Sequence, residues 1–438
     1  TAVANFLPAV IEAYYSMTPL VLLTADRPPE LIDTGSNQTI KQDGIFSSFV
    51  RYERNLGIPK ENSMQQMIES ICQGISVASS TIPGPVHFNI PLHEPIAPTE
   101  SIHDLYNHNL ELIPPQPIKY DGSIDIGSKP IIVVGPLKYS SLQEEIVTLA
   151  RMSGALIMPD PLSNIISKDE TNKYIVSSYD YLLRSIDIRP SSIIRFGTKP
   201  TSKVLNRWLE KNNTIVSSIQ AHNRFNDDVE NIIVCDPISF CRNIISQYDK
   251  YFSPWNDLLV NLQVAISKKL YIHNKHSIPC FVLDTNESVG NGGMLFLGNS
   301  SAVRDFSQMG NHKQHTFRTL GNRGASGIDG VLSTALGAAS KSTGNNVLVI
   351  GDMSFLYDLN ALQISRECSI NLVVVVMNNY GGQIFDRLDI SKIESTKFDR
   401  FWKTTHNLCF KNIANFHNVG YCVLDDFSKY KEAITSLV

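Results

Sequence analysis

Residues 345–354 read Asn345-Asn346-Val347-Leu348-Val349-Ile350-Gly351-Asp352-Met353-Ser354, a short apolar run that ends in a glycine and an aspartate. The run predicts a buried strand, and the apolar spacing from Leu356 to Ile364 predicts a helix directly after it. Asp352 is therefore expected at the carboxyl end of a strand, beside the amino end of a helix. In open α/β sheets such junctions bind phosphate groups, because free backbone N–H groups and the helix dipole favour anions.

A second polar cluster follows the next predicted strand, which covers residues 371–377 and ends in Asn378-Asn379-Tyr380-Gly381-Gly382. One strand-helix-strand unit brings Asn379 near Asp352, because neighbouring parallel strands end at the same edge of a sheet. Asp352, the Asn379 amide and the Gly381 carbonyl offer hard oxygen ligands, which leave positions of Mg²⁺ for diphosphate oxygens and water. Each piece alone is typical of a helix cap or a turn. Together they favour a metal-diphosphate site.

The whole chain alternates short β-branched runs with amphipathic segments, which indicates an α/β protein with parallel sheets. We predict three segments over residues 1–112, 120–252 and 253–438. Prolines 114, 115 and 117 form a stiff connector after the first segment. Each segment is expected to hold a mostly parallel sheet flanked by helices. The third contains nearly all the chemical signals, whereas the second shows no obvious cluster of titratable groups.

Composition excludes several classes of protein. The 438 residues are 42% apolar and 18% charged, which is ordinary for a globular chain. The net charge of -4 leaves no excess of basic residues for nucleic acid, and no apolar run is long enough to span a membrane. The seven cysteines include no CxxC pair, so we predict neither a disulfide framework nor a zinc site. A reducing compartment fits best.

Further motifs make the pattern specific to one family. Gly351-Asp352 followed by Asn378-Asn379 resembles the thiamine-diphosphate motif, with Met353 where many members have a third glycine. Four other stretches narrow the resemblance to one family within this class. These stretches are residues 23–31 with Asn37-Gln38 downstream, residues 323–330, residues 357–362 and residues 379–385. Over essentially its whole length the chain resembles the MenD family, the 2-succinyl-5-enolpyruvyl-6-hydroxy-3-cyclohexene-1-carboxylate synthases.

The resemblance implies a three-domain thiamine-diphosphate-binding fold. Residues 1–112 correspond to the pyrimidine-binding domain, 120–252 to the central domain and 253–438 to the diphosphate-binding domain. Thiamine diphosphate with Mg²⁺ or Mn²⁺ is expected between the subunits of a homodimer or homotetramer. By this resemblance, Ile328 is the apolar wedge that bends the cofactor. The other residues implied to hold the cofactor or its metal are Gly351, Asp352, Met353, Ser354, Asn379, Gly381, Gln383, Ile384 and Phe385, with Asp352, Asn379 and Gly381 as the metal ligands.

The resemblance also implies a reaction, the decarboxylation of 2-oxoglutarate and 1,4-addition of the succinyl unit to isochorismate, in menaquinone or phylloquinone biosynthesis. Both substrates are multiply anionic, and arginine forks match carboxylates best. The residues implied to bind substrate are Asn37, Gln38, Lys203, Ser300, Arg304 and Arg323. Among these, Gln38, Arg304 and Arg323 join Ile328 as the expected catalytic residues.

Other residues have simpler interpretations. Residues 26–30 are interpreted as structural, with prolines that fix the exit from a strand and local pairing of Asp26 with Arg27. His312 and His315 are interpreted as solvated loop residues, since they have no Cys or carboxylate partner. The charged run over residues 224–228 stays unassigned.

Three other functions stay open. The first is another thiamine-diphosphate 2-oxoacid decarboxylase or synthase. A nicotinamide or flavin oxidoreductase is disfavoured, because Gly321-Asn322-Arg323-Gly324 lacks the GxGxxG spacing. A noncatalytic scaffold is disfavoured by the intact metal motif.

The ends of the sequence carry expectations of their own. Thr1 falls directly into helical apolar spacing without a cap, so we expect further sequence upstream, and the helix predicted over residues 428–438 has no following strand. In the family, the glutamate that activates the cofactor lies upstream of the region matching Thr1. The chain as given is therefore expected to be poorly active. The family resemblance and the composition are compatible with the bacterial cytoplasm or the plastid stroma.

Overall fold

Three parallel sheets form the framework of the computed structural model, and each lies within one of the three predicted segments. The chain is thus an α/β protein, as its sequence predicted. The structure describes residues 1–94, 116–138, 140–166, 171–212, 214, 216–222, 227–273, 278–309, 317–424 and 427–437. The predicted boundary at residue 112, prolines 114 and 115, residues 224–226, and His312 and His315 lie outside the described residues.

The chain divides into two compact units. Unit 1 consists of Thr1–Pro117, His222–Asn226 and Arg323–Ser326. Unit 2 consists of Ile118–Ala221, Asp227–Asn322 and Gly327–Val438. The first sheet belongs to unit 1, and the second and third sheets both belong to unit 2.

The sheet of unit 1 has the order β1-β3-β2, with every neighbouring pair parallel. Its strands are β1 Leu20–Asp26, β2 Tyr52–Asn55 and β3 Pro85–Pro91, and the helices of this unit are α1 Leu7–Tyr15 and α2 Met64–Ala78. The central strand β3 is buried along almost its whole length, although it carries the polar residues His87 and Asn89. Because buried polar groups are normally hydrogen-bonded, these two side chains are expected to have partners inside the unit.

The second sheet has the order β5-β4-β6-β7-β8 and is parallel throughout. Its strands are β4 Pro130–Val134, β5 Leu156–Pro159, β6 Ser192–Phe196, β7 Val216–Gln220 and β8 Asn231–Val234. The helices around it are α3 Leu142–Ser153, α4 Tyr179–Ser185, α5 Lys203–Lys211 and α6 Pro237–Ile245. Strand β4 is fully buried, which explains its continuous apolar sequence.

The third sheet has the order β10-β9-β11-β12, again parallel. Its strands are β9 Met294–Leu297, β10 Arg318–Leu320, β11 Asn346–Gly351 and β12 Val373–Met377. The remaining helices are α7 Asp257–His273, α8 Ile278–Val289, α9 Ser301–Met309, α10 Val331–Ala339, α11 Asp352–Tyr357, α12 Leu362–Cys368, α13 Ser395–Phe398, α14 Phe410–His417 and α15 Tyr430–Leu437. Among the described helices, none has the length and apolar character that a membrane crossing requires.

Strand β11 shows why residues 346–351 form the middle of this sheet. Val347 and Val349 pack into one apolar cluster, whereas Leu348 and Ile350 pack into another. Successive side chains of a strand point to opposite faces, so an unbroken apolar run can supply two cores at once. The polar residues begin where the strand ends, and the buried strand thereby fixes the position of Asp352.

Candidate cofactor and substrate site

The carboxyl ends of β11 and β12 form the centre of the candidate site. Gly351 lies opposite Met377 in the parallel register of these two strands. Asp352 is the first residue of α11, and Asn379 follows β12 by a short turn. The two polar clusters identified in the sequence therefore lie side by side at one edge of the third sheet.

The carboxylate of Asp352 is buried, with 3% of the residue exposed, and it organises the surrounding backbone. Its Oδ2 accepts hydrogen bonds from the backbone N–H groups of Gly381 at 2.8 Å and Asn379 at 3.2 Å. Its Oδ1 accepts from the N–H of Met353 at 2.7 Å. Within the described ranges, the only side chain that pairs with this carboxylate is His406, whose Nε2 lies 3.2 Å from Oδ2. A buried carboxylate without a Lys or Arg partner favours a cation.

Gly381 is required by the backbone at this point. Its φ of +136° lies in a region that L side chains rarely adopt. A Cβ atom at this position would also lie 2.6 Å from the carbonyl oxygen of Lys403. Only glycine therefore brings this stretch of backbone against Asp352 without displacing the neighbouring segment.

The donor set suits a hard divalent cation. It consists of the Asp352 carboxylate, the side-chain amide of Asn379 and the carbonyl of Gly381, which are the oxygen ligands that Mg²⁺ and Mn²⁺ prefer. The part of the chain that the structure describes contains no group of three or more His, Cys, Asp or Glu residues suited to a metal. A Cβ atom added to Gly351 would meet nothing within 4 Å, so open space lies next to the strand end. The residues present therefore fit a metal whose other ligands come from a bound diphosphate and water.

Ser354 and Ile328 are joined directly. The hydroxyl of Ser354 donates a hydrogen bond to the carbonyl oxygen of Ile328 at 2.5 Å. The side chain of Ile328 remains 37% exposed, although Ser354 itself is buried. The hydrogen bond holds the backbone of Ile328, and part of its apolar side chain remains uncovered by the described residues.

The segment after Gly382 is a 3₁₀ turn over Gln383–Arg387, which includes Ile384 and Phe385. Gln383 donates from its Nε2 to the carbonyl of Asn379 at 2.8 Å, and its backbone N–H donates to Gly381 at 2.9 Å. These contacts fix the turn to the strand end, so Gln383 shapes the backbone that surrounds Asp352.

Ser300 and Arg304 lie beyond the end of β9, the neighbour of β11. Ser300 has a φ of +66°, and its carbonyl accepts a hydrogen bond from Nη1 of Arg304 at 2.6 Å. Arg304 is half-buried, and burial lowers the pKa of its guanidinium from the usual value. Arginine side chains keep their proton in folded proteins, so Arg304 still supplies a positive charge.

Two neighbours of Arg304 were not identified from the sequence. Burial raises the pKa of Asp305 to about 6, while the nearby Arg387 and Arg304 guanidinium groups oppose that rise. Asp305 follows Arg304 directly but belongs to no motif, and Arg387 lies just past the predicted residues 383–385. A pKa of about 6 brings the change of charge of Asp305, the residue next to Arg304, close to neutral pH.

Arg323 lies in a loop of unit 1 that is held by the carboxylate of Glu12. The backbone N–H groups of Gly324, Ala325 and Ser326 donate to Glu12 at 2.6, 2.8 and 3.3 Å. A Cβ atom at position 324 would lie 2.3 Å from the carbonyl oxygen of Glu12. The glycine after Arg323 thus permits a close approach of loop and helix. Glu12 lies in α1, and no motif of the sequence points to this contact.

The other predicted substrate residues are exposed. Asn37 and Gln38 lie on a loop of unit 1, where Gln38 has a φ of +56°. Lys203 is the first residue of α5, and its side chain is open to solvent. Lys203 belongs to the same unit as Asp352 and Arg304, but it lies on a helix of the second sheet.

The second segment contains a buried ion pair that was not evident from the sequence. Arg195 and Asp227 form an ion pair in which both side chains are 2% exposed. Gln220 donates to the same carboxylate at 2.7 Å, and the guanidinium also donates to Ser218 at 3.2 Å. Asp227 comes from beyond the end of β7, so the pairing leaves no local pattern in the sequence.

Comparison with known proteins identifies the family to which this chain is similar. The family described as "Thiamine pyrophosphate enzyme, C-terminal TPP binding domain" matches residues 300–438. That range includes Arg304, Ile328, Asp352 and Asn379, which lie at or near the strand ends of the third sheet. Fold and site together define a thiamine-diphosphate-dependent enzyme.

Relatives with one shared name match nearly the whole chain. They are called 2-succinyl-5-enolpyruvyl-6-hydroxy-3-cyclohexene-1-carboxylate synthase. The relative from Halobacterium salinarum is 30% identical over 99% of this chain and 80% of its own length. Those from Bacillus velezensis and Staphylococcus aureus are 33% and 31% identical, each over 99% of this chain and 79% of its own length. The chain belongs to this family, the MenD family.

Proposed function

We propose that the protein catalyses the thiamine-diphosphate-dependent decarboxylation of 2-oxoglutarate and the 1,4-addition of the succinyl unit to isochorismate. The product would be 2-succinyl-5-enolpyruvyl-6-hydroxy-3-cyclohexene-1-carboxylate, an intermediate of menaquinone or phylloquinone biosynthesis. The observation that carries this proposal is the half-buried guanidinium of Arg304, which follows β9 at the same sheet edge as Asp352. A cation in that position suits a substrate with a carboxylate far from its reacting carbon.

When bound, thiamine diphosphate supplies the electron sink that decarboxylation of a 2-oxoacid needs. Asp352, Asn379 and Gly381 would hold Mg²⁺ or Mn²⁺ against its diphosphate. Ile328 would support the bent cofactor, and Ser354 keeps the backbone of Ile328 in place through its hydrogen bond. In this proposal Ser354 positions Ile328, in addition to the diphosphate contact expected from the resemblance.

The anionic substrates would be bound by Arg304 and Arg323, with Ser300, Lys203 and Asn37 as further polar contacts. Gln38 would contact the reacting groups from its exposed loop. Since Arg304 already donates to the carbonyl of Ser300, its remaining N–H groups are oriented before substrate arrives. The active form would be a homodimer or homotetramer that holds the cofactor between subunits.

The proposal is tested by measuring CO₂ release from 2-oxoglutarate and from pyruvate, with thiamine diphosphate and Mg²⁺ present. We expect 2-oxoglutarate to be used at least about a hundredfold more efficiently, because pyruvate lacks the distal carboxylate that an arginine binds. Equal use of both substrates, or a preference for pyruvate, would indicate instead a decarboxylase or synthase for small 2-oxoacids.

A further inference from the structure

Asn89 is a fully buried polar residue on the central strand of unit 1. Its side-chain amide lies between two residues that are distant in sequence, Asp26 and Gln42. Nδ2 of Asn89 donates to Oδ2 of Asp26 at 2.7 Å. Oδ1 of Asn89 accepts from Nε2 of Gln42 at 3.0 Å. One amide group therefore joins the end of β1 to a residue well beyond it.

Asp26 and Gln42 are the two ends of a loop, residues 27–41, that contains Asn37 and Gln38. At its start, Oδ1 of Asp26 accepts a hydrogen bond from the backbone N–H of Arg27 at 2.8 Å. At its end, Gln42 also donates to the carbonyl of Ala25 at 2.9 Å. The expected pairing of Asp26 with Arg27 thus involves the Arg27 backbone, while its guanidinium lies 3.7 Å from Glu94.

A second set of contacts fixes the orientation of the Asn89 amide. A carboxylate only accepts hydrogen bonds, so Asp26 selects the NH₂ end of the amide and turns the oxygen toward Gln42. That oxygen also accepts from the hydroxyl of Thr24 at 2.9 Å. Thr24 in turn lies 2.7 Å from Nε2 of His87, whose Nδ1 lies 2.8 Å from Glu53. The amide is therefore held on both sides by partners that leave it one orientation.

We infer that Asn89 is a positioning residue, which holds both ends of the loop at residues 27–41 and so places Asn37 and Gln38 for substrate. The placement of Asn37 and Gln38 for substrate rests on the proposed function, because that function gives these two residues their roles. We call the hydrogen bonds of Asn89 with Asp26 and Gln42 the clamp. The clamp rests on these contacts alone.

An exchange of two residues provides a sharp test. Asn89→Asp places a second carboxylate against Asp26. Asp26→Asn replaces two carboxylate oxygens by one amide oxygen, which then faces both the N–H of Arg27 and the NH₂ of Asn89. The double variant Asp26→Asn with Asn89→Asp restores every donor and acceptor, because the new amide donates to the new carboxylate. The matched control is Asn55→Asp, since Asn55 lies opposite Asn89 in the sheet but is exposed, and its Oδ1 accepts a local hydrogen bond from the backbone N–H of Gly57.

The first readout is hydrogen-deuterium exchange of residues 27–41 in the full-length protein, which requires no activity. We expect exchange in this loop to rise about tenfold or more in each single variant. It should return close to the wild-type rate in the double variant and remain unchanged in Asn55→Asp. Wild-type exchange in both single variants, or a double variant as mobile as the singles, would overturn the clamp.

The second readout is kcat/KM for the substrates. We expect each single variant to lose about tenfold to a hundredfold, and the double variant to recover most of that loss. In an Asn37→Ala and Gln38→Ala background, Asn89→Asp should have no further effect, because the residues that it positions are gone. A full additional loss there would overturn the positioning role. If the loop exchange behaves as expected but wild type has no synthase activity, the clamp stands and the proposed function fails.

Discussion

Oδ2 of Asp352 accepts a hydrogen bond from the backbone N–H of Gly381 at 2.8 Å, across the ends of two neighbouring strands. A negative charge at this point is needed if a divalent cation is to bind there. Asp352→Asn removes that charge while it keeps the size of the side chain. We expect the Mg²⁺-dependent affinity for thiamine diphosphate to fall about a hundredfold, with the fold retained.

Titration calorimetry with thiamine diphosphate, at saturating and at zero Mg²⁺, measures this loss. Asp389→Asn is the matched control, because Asp389 lies in the same part of the chain but is exposed and pairs with Lys392. Wild-type affinity in Asp352→Asn would place the metal elsewhere.

Gly381→Ala tests the backbone that surrounds the carboxylate. The added Cβ would lie 2.6 Å from the carbonyl of Lys403 at a φ of +136°, so the turn has to move. We expect cofactor affinity to fall about tenfold or more and stability to fall by about 1 to 3 kcal/mol. Gly337→Ala is the control, since its Cβ would meet nothing within 4 Å in the middle of α10. That variant should be unchanged or slightly more stable, as measured by urea unfolding.

Arg304→Ala should impair substrate use far more than cofactor binding. The guanidinium would contribute a charge-assisted hydrogen bond to a carboxylate, worth about 1.5 to 3 kcal/mol. We therefore expect kcat/KM for 2-oxoglutarate or isochorismate to fall about tenfold to a hundredfold, while calorimetry shows unchanged thiamine-diphosphate affinity. Arg366→Ala removes an exposed arginine of α12 and should leave both quantities unchanged. Wild-type kinetics in Arg304→Ala would remove this residue from the substrate site.

Asp305 gives the stability of the protein a dependence on pH. Burial raises its pKa from 3.8 to about 6 in the folded protein, so between these values the folded state binds more protons than the unfolded state. The contribution of this group to the free energy of unfolding is then largest below about pH 4 and declines as the pH rises through about 6. Asp305→Asn should remove this decline.

Urea unfolding at pH 5 and pH 8 measures the effect. The gain in stability from Asp305→Asn should be larger at pH 8 than at pH 5, whereas the exposed Asp249→Asn should show no such difference. An equal effect of Asp305→Asn at both pH values would show that the carboxyl does not titrate in this range.

Local patterns predicted much of the fold. The apolar run before Gly351 and the run before Asn378 indicated adjacent buried strands, and parallel pairing then brought their polar ends together. Strands β2, β8 and β10 have weaker signals in the sequence, because they are only three or four residues long and each contains polar side chains. Such short segments depend on their neighbours in the sheet for their structure.

The contacts of Glu12, Asn89 and His406 could not be predicted for a different reason. Glu12 binds backbone N–H groups more than 300 positions away, and His406 reaches Asp352 from an irregular loop. Contacts between residues so far apart in the chain produce no periodicity and no motif in the sequence. Asn89 lies in β3, but its partners Asp26 and Gln42 are 63 and 47 positions away, so no local pattern points to them.

The proposed reaction joins 2-oxoglutarate to isochorismate with loss of CO₂. The most direct measurement supplies the full-length protein with thiamine diphosphate, Mg²⁺, isochorismate and 2-oxoglutarate labelled with ¹³C at its carboxyl groups, and counts CO₂ against isochorismate consumed. We expect about one CO₂ for each isochorismate, a product that retains only the distal labelled carboxyl, and no reaction without thiamine diphosphate. Release of CO₂ while isochorismate stays intact, or turnover that does not need thiamine diphosphate, would contradict it.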